Sequence, residues 1–179
     1  MSFYMAVDPG GTTGWMLFND GQPVEGGEIP FANIWEFLNN AQWQEIGLYV
    51  VEDYIIRAAS AQGGYAHQWN KGEALQVIGA LKCLAQAKAA AVVLQQPTIK
   101  DAIHRKLTGR PYNKTTATHM LDASLHGAYY WWKENPTDAR YVTQGSSEDS
   151  SGEGVRSPTR VVQIRGYEGL RGKGRKRGV

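Results

Sequence analysis

The chain has 179 residues, 42% of them apolar and 20% charged, which is enough for one globular domain and excludes a disordered or fibrous protein. Its formal net charge of +2 is too small to indicate a partner by itself. A single cysteine, Cys83, excludes a disulfide scaffold and a thiolate zinc site. Without a signal peptide or a long apolar run, we expect no membrane association and a cytoplasmic location.

The first predicted element is a strand over residues 3–8 that ends on Asp8. A turn through Gly10 and Gly11 follows, and two more apolar runs predict strands near residues 13–19 and 23–29. Turn chemistry alone would explain Asp8 as a residue that closes the bend. Its place after an apolar strand, with acidic partners further along the chain, favours a metal ligand instead.

A second acidic residue ends the next predicted strand. An amphipathic helix is expected near residues 31–42, followed by a strand over residues 47–52 that ends on Glu52. A carboxylate at the end of a buried strand is costly unless a cation meets it. The neighbouring Asp53 competes for this role, and we favour Glu52.

The segment after this strand combines a predicted loop, a helix and the last strand. Tyr65 and Trp69 lie in the loop of residues 57–70, where aromatic rings stack on splayed bases or fold back into the core. A helix is predicted over residues 71–90 and a strand over 91–94. Gly79 within that helix indicates either close approach of a partner or local packing against the sheet. The broad apolar face of this helix is where we expect a second copy to dock.

Basic residues follow the last strand. We expect them to contact nucleic-acid phosphates, with a lysine placed to stabilise transition-state charge, and the alternative is a solvated basic helix face. His104 and Lys106 are candidates for a protonating group. The predicted phosphate contacts are Lys100, Arg105, Lys106 and Arg110.

The last predicted helix covers residues 117–133 and begins near Thr115 or Thr116 as the cap. His119 and Asp122 share one face of it, and His126 lies a further turn along. Either histidine could instead be a hydrogen-bonded core residue. Together with Asp8 and Glu52, this helix would supply oxygen ligands and at most one imidazole, which favours Mg²⁺ or Mn²⁺ over structural zinc. A two-metal site of this kind predicts phosphodiester hydrolysis.

The C-terminal region differs in composition from the rest. Residues 143–159 have too few apolar groups to fold and predict a flexible linker. Residues 156–179 hold eight Lys or Arg and one acid, whereas the rest of the chain has 11 basic and 16 acidic residues. We therefore expect the tail of residues 160–179 to bind nucleic acid through Arg175, Lys176 and Arg177, or else to serve solubility alone.

The strand ending in Asp8 with its glycine-threonine turn, the strand ending in Glu52, the basic segment and the helical His119-x-x-Asp122 together resemble the RuvC family of Holliday junction resolvases. Small bacteriophage nucleases of this kind look most similar, which would place the protein in the cytoplasm of a bacterial host. The resemblance implies an α/β fold over residues 1–142, ribonuclease H-like, with a five-stranded mixed sheet flanked by helices.

The resemblance also implies a homodimer that cuts four-way DNA junctions. Asp8 would bridge two Mg²⁺ ions, with Mn²⁺ as an alternative, and Glu52, His119 and Asp122 would complete the site. Many members carry aspartate where His119 stands. An aromatic residue that wedges into the junction follows the second strand in the family, which makes Tyr54 a competitor of Tyr65 and Trp69.

Other functions stay open at this stage. The same fold supports flap, fork and RNA–DNA hybrid nucleases, and a junction-binding module that does not cut is a further alternative. The turn from Asp8 to Thr12 also resembles the phosphate motif of actin-like ATPases. Those proteins need two such subdomains, and this chain has residues for one.

Overall fold

The computed structural model describes residues 3–43, 45–54 and 66–141. Five strands form one sheet: β1 Phe3–Asp8, β2 Thr12–Asn19, β3 Gln22–Pro30, β4 Leu48–Glu52 and β5 Ala91–Gln95. Their order is β3-β2-β1-β4-β5. β1 is antiparallel to β2 and parallel to β4, and β4 is parallel to β5. The five-stranded mixed sheet is confirmed, as is each of the predicted strands.

The alternation of side chains along the strands separates two cores. Met5, Val7 and Val51 point to one face, where they pack with residues of α1, Ile34–Leu38, and α2, Ala66–Ala87. Tyr4, Ala6 and Val50 point to the other face, against α4, His119–Glu134. α3, Ile99–Thr108, packs on the outer side of α4 through Ile103 and Leu125. Helices therefore flank both faces, as the α/β prediction requires.

The predicted helix over residues 31–42 is wrong in its extent. Only Ile34–Leu38 is α-helical, with single 3₁₀ turns at Phe31–Asn33 and Ala41–Trp43. Asparagine side chains compete with the helical hydrogen bonds here. The Asn39 amide donates to the Trp35 carbonyl at 2.9 Å, and the Gln42 N–H donates to Asn40 Oδ1 at 3.1 Å.

Two helix boundaries also differ from the prediction. α2 begins at Ala66, so Trp69 belongs to a helix and not to the predicted loop. α4 begins after Thr118, whose side chain accepts from the Leu121 N–H at 3.1 Å, so neither Thr115 nor Thr116 is the cap. Both threonines lie in a turn that Asn113 closes by accepting from the Thr115 N–H at 3.0 Å.

Several predictions fall outside the described residues. They concern Tyr65, the linker over residues 143–159 and the basic tail with Arg175, Lys176 and Arg177. Within the part of the chain that the structure describes, none of the helices combines the length and the apolar character that crossing a membrane requires.

Candidate metal centre

Three carboxylates from three elements meet at one end of the sheet. Asp8 ends β1 and Glu52 ends β4, and the even-numbered alternation that buries Tyr4, Ala6 and Val50 turns both carboxylates toward α4. β1 and β4 are parallel neighbours with Val7 opposite Val51, so the two acids end adjacent strands side by side. Asp122, in the first turn of α4, faces them. All three residues are less than 10% exposed.

A glycine lets α4 begin close to the sheet. A Cβ atom at Gly14 on β2 would lie 2.0 Å from the backbone carbonyl of His119. Gly14 is paired with Asp8 in the sheet. Any larger residue would therefore push the first turn of α4, and Asp122 with it, away from the Asp8 carboxylate.

The Lys100 ammonium group lies between the three carboxylates. Its Nζ is 2.6 Å from Glu52 Oε2, 2.6 Å from Asp122 Oδ2 and 3.5 Å from Asp8 Oδ1. The side chain comes from the first turn of α3 and is 10% exposed. Lys100 was predicted to contact phosphates, and that stays a prediction; in this structure its side chain contacts the three carboxylates.

Two further side chains bind the outer parts of the cluster. His119, half exposed, has its Nδ1 2.6 Å from Asp8 Oδ2. The Tyr112 hydroxyl, from the loop between α3 and α4, donates a short hydrogen bond to Asp122 Oδ1. Together with Lys100, these contacts engage both oxygens of Asp8 and both oxygens of Asp122.

His126 does not reach the surface of the site. It is buried beneath Glu52, with Nε2 2.9 Å from Glu52 Oε2 and Nδ1 2.9 Å from Gln95 Oε1. Gln95 ends β5 directly opposite Glu52 in the sheet register. His126 is therefore a neighbour of a carboxylate, one turn deeper than His119 and Asp122.

Burial and charge divide the protons unequally among these groups. Burial raises the pKa of Asp8 to about 7, and the nearby Glu52 carboxyl adds to this rise. Burial also opposes ionisation of Glu52, but hydrogen bonds from His126 and the Lys100 charge bring its pKa down to about 2. The hydrogen bond to Asp8 raises the pKa of His119. Despite its burial, Lys100 has its pKa raised by the surrounding carboxylates, so it stays charged.

The donor set fits a hard divalent cation. Mg²⁺ and Mn²⁺ prefer carboxylate oxygens, and the structure brings three buried carboxylates around one point. As they stand, no three acidic, histidine or cysteine side chains among residues 3–43, 45–54 and 66–141 are arranged to hold a metal ion. The Lys100 ammonium group lies between the three carboxylates, at the place that a metal ion would take.

The other described residues that were predicted to contact nucleic acid lie outside the carboxylate cluster. Arg105 is exposed on α3 and pairs with Asp101 at 3.1 Å, and Arg110 is exposed just after that helix. Lys106 lies 4.7 Å above the ring of Trp132. Tyr54 packs against the core on the α2 side of the sheet. The side chain of Trp69 is outside the described structure.

The competing acid Asp53 lies apart from the cluster. Its side chain is partly exposed, and its Oδ2 accepts from the Gln96 amide at 3.3 Å. Strand alternation explains the difference, because Asp53 follows Glu52 and points away from the face that α4 covers.

Sequence reasoning missed three contributions to this site. Gln95 ends an apolar strand just as Asp8 and Glu52 do, so the same signal could have found it. The burial of Lys100 among acids and the reach of Tyr112 to Asp122 have no signal in spacing, because both depend on how α3 packs on α4.

Comparison with known proteins gives similarity at the level of the fold. No protein-family model and no curated protein sequence matches the chain. Among solved structures, the chain is similar to Thermus thermophilus RuvC in complex with a Holliday junction substrate, with a TM-score of 0.48, 14% identity and coverage of 75% of this chain and 96% of that one. It is also similar to another structure of Thermus thermophilus RuvC, with a TM-score of 0.46, 15% identity and coverage of 75% and 97%. At this identity the likeness concerns the fold alone.

Proposed function

We propose that the chain is a metal-dependent endonuclease that cuts branched DNA, with four-way junctions as its main substrate. The observation that carries this proposal is the convergence of Asp8, Glu52 and Asp122 on one buried point at the end of the sheet. Their order along the chain, with His119 three residues before Asp122, is the pattern that resembles the RuvC family. That resemblance is the reason for choosing junctions over flaps, forks and RNA–DNA hybrids.

The residues that would hold Mg²⁺ or Mn²⁺ are Asp8, Glu52 and Asp122, with His119 at the exposed side. Divalent cations bound there would supply Lewis-acid polarisation of a phosphodiester and favour attack by water. Asp8 is central among these ligands, because it contacts both Lys100 and His119.

Lys100 has two roles in this proposal. Without metal, its ammonium group neutralises part of the buried negative charge, with Glu52 and Asp122 as its nearest partners. With metal in its place, the flexible lysine side chain would let the ammonium group turn toward a scissile phosphate and stabilise its charge.

DNA would approach over the exposed side of α3. Arg105 and Arg110 are exposed there, and α3 also supplies Lys100 to the cluster. Contacts of this kind position a phosphate backbone without reading its sequence. Arg175, Lys176 and Arg177 in the basic tail would add salt-dependent affinity.

Symmetric cutting of two strands requires two copies of the site, so we propose that the protein acts as a homodimer. The predicted docking of a second copy on the broad apolar face of α2 is wrong, because most of that face packs against the sheet of its own chain. The exposed stripe that contains Leu75, Gly79 and Cys83 would instead be the face for the second copy. Within the part of the chain that the structure describes, no atom lies within 4 Å of the position of a Cβ at Gly79, so a partner helix could approach closely there. Because Cys83 is the sole cysteine, a bismaleimide should cross-link two copies, and Cys83→Ser should abolish this. A monomeric mass with junction DNA bound would contradict the dimer.

A cleavage assay with Mg²⁺ tests the nuclease. Labelled four-way junction, flap, duplex and RNA–DNA hybrid are compared with wild type and with Asp8→Asn. We expect paired cuts in the junction and none with the variant. Cutting of flaps or hybrids alone would replace the substrate, and binding without cutting would indicate a non-catalytic module.

A further inference from the structure

We propose that His126 and Gln95 are positioning residues that hold the Glu52 carboxylate in place for the divalent cation. This inference rests on the proposed function. It assigns His126 to the support of a ligand and not to the metal itself.

The geometry forms a continuous chain of three polar side chains within the core. His126 is completely buried on α4, and both of its ring nitrogens are engaged at 2.9 Å, with Glu52 on one side and Gln95 on the other. Gln95, 8% exposed, and Glu52 end neighbouring strands in register. Both ends of the imidazole are thus anchored to the sheet, and the ring cannot turn without losing a contact.

The hydrogen atoms can be assigned from the chemistry of the partners. A buried ring nitrogen that faces a carboxylate has to carry hydrogen, so Nε2 donates to Glu52 Oε2. Nδ1 then accepts from the amide of Gln95 if the ring is neutral, or donates to its oxygen if the ring is charged, and a glutamine side chain can present either atom. Gln95 therefore supports the same donation to Glu52 in both states.

His126 lies in the buried part of α4, between Leu125 and Gly127. Burying two polar ring nitrogens costs free energy unless each has a partner, and here both have one at 2.9 Å. The imidazole fixes one oxygen of Glu52, as the outer-shell partners of metal-binding carboxylates do.

The experiment compares two amide replacements of the same residue. In His126→Gln the amide nitrogen can reach the position of Nε2 and donate to Glu52. In His126→Asn the amide reaches only the position of Nδ1, so it keeps the contact with Gln95 and loses Glu52. Binding of Mn²⁺ is measured without DNA by titration calorimetry, together with the melting temperature in EDTA.

We expect His126→Asn to weaken Mn²⁺ binding by about 10- to 100-fold, the range for loss of such a partner. His126→Gln should bind Mn²⁺ with an affinity close to that of wild type. Both variants bury an amide, so their melting temperatures in EDTA should be similar. Gln95→Met, which removes the amide and keeps the length, should weaken binding by a smaller factor. It carries the same test if His126→Asn does not fold.

Two outcomes would overturn the positioning role. The first is a His126→Asn variant that binds Mn²⁺ as tightly as wild type. The second is an equal loss of Mn²⁺ affinity in the Asn and Gln variants, which a merely structural role would produce. Failure of the nuclease proposal is distinct from both, because there the wild type binds Mn²⁺ and leaves every branched DNA uncut. A wild-type chain that binds no Mn²⁺ would overturn both proposals.

Discussion

Carboxylates lie at both ends of the sheet, but their charged partners differ between the two ends. At the end where β1 and β4 stop, Asp8, Glu52 and Asp122 share the single ammonium group of Lys100. At the opposite end, next to the β2–β3 turn, Asp138 pairs with Arg140.

The Asp138 carboxylate is balanced by one cation and by several hydrogen bonds. Asp138 accepts from Arg140 Nε at 2.9 Å and from Trp131 Nε1 at 2.8 Å, and Arg140 also donates to the backbone oxygen of Asp20 at 2.9 Å. Gly21 has φ +74°, and a Cβ there would meet the Trp131 ring. These contacts tie the end of α4 to the β2–β3 turn, and they give the Asp138 carboxylate a cation of its own.

The difference indicates which end binds an additional cation. A structural ion pair satisfies its own charge, whereas a site for a divalent metal has negative charge left over. Burial, with a smaller contribution from the Glu52 carboxyl, raises the pKa of Asp8, whereas hydrogen bonds from Arg140 lower the pKa of Asp138. The predictions that follow test whether the two ends differ in this way.

After Asp8→Asn, the largest effect is expected from Glu52, with its neighbour Asp53 as the matched control. Glu52→Gln should lower junction cleavage by more than about a hundredfold, since loss of an outer-shell partner alone costs up to that factor. Asp53→Asn should cleave as wild type, because its side chain bonds Gln96 outside the cluster. Initial rates at saturating Mg²⁺ measure both, and equal losses would contradict the assignment.

Lys100→Met tests the surplus charge directly. Removing one partner of a buried ion pair costs about 3–5 kcal/mol, so the variant should melt well below wild type in EDTA. Excess Mg²⁺ should then raise its melting temperature more than that of wild type, because no ammonium group competes for the carboxylates. Equal Mg²⁺-induced shifts in the two proteins would show that Lys100 and the metal do not share a place.

The balanced end should respond in stability alone. Asp138→Asn should lower the free energy of unfolding by about 1–3 kcal/mol, the range for a charged hydrogen-bonding group. The cleavage rate and the Mg²⁺-induced rise in melting temperature should be unchanged, since the residue lies beyond the far end of α4. Chemical denaturation and a cleavage time course measure both. Loss of cleavage in a folded Asp138→Asn protein would remove the contrast between the two ends.

The smallest effect is a pH dependence of the metal-free protein. The pKa of Asp8 is raised from 3.8 to about 7, so its ionisation opposes folding increasingly as the pH rises between these values. Asp8→Asn has no carboxyl group to ionise at this position, so its melting temperature in EDTA should rise relative to that of wild type between pH 4 and pH 7. A constant difference across this range would mean that burial does not hold a proton on Asp8.

Much of the site could be predicted because its backbone follows simple periods. Strand alternation places Asp8 and Glu52 on one face, and the three-residue spacing of His119 and Asp122 places both in the first turn of α4. Lys100 could not be assigned to the cluster, because its long stem reaches the acids only after α3 has packed on α4. The spacing placed His126 on the correct face of the helix. Its burial could not be predicted, because it depends on how closely this part of α4 packs against the sheet.

Cleavage of a labelled four-way junction in Mg²⁺ by wild type and by Asp8→Asn is the most direct test of the central claim that the three carboxylates form a nuclease centre. The account predicts paired cuts by the wild type, none by the variant, and junction binding by both. Undiminished cutting by Asp8→Asn would contradict it.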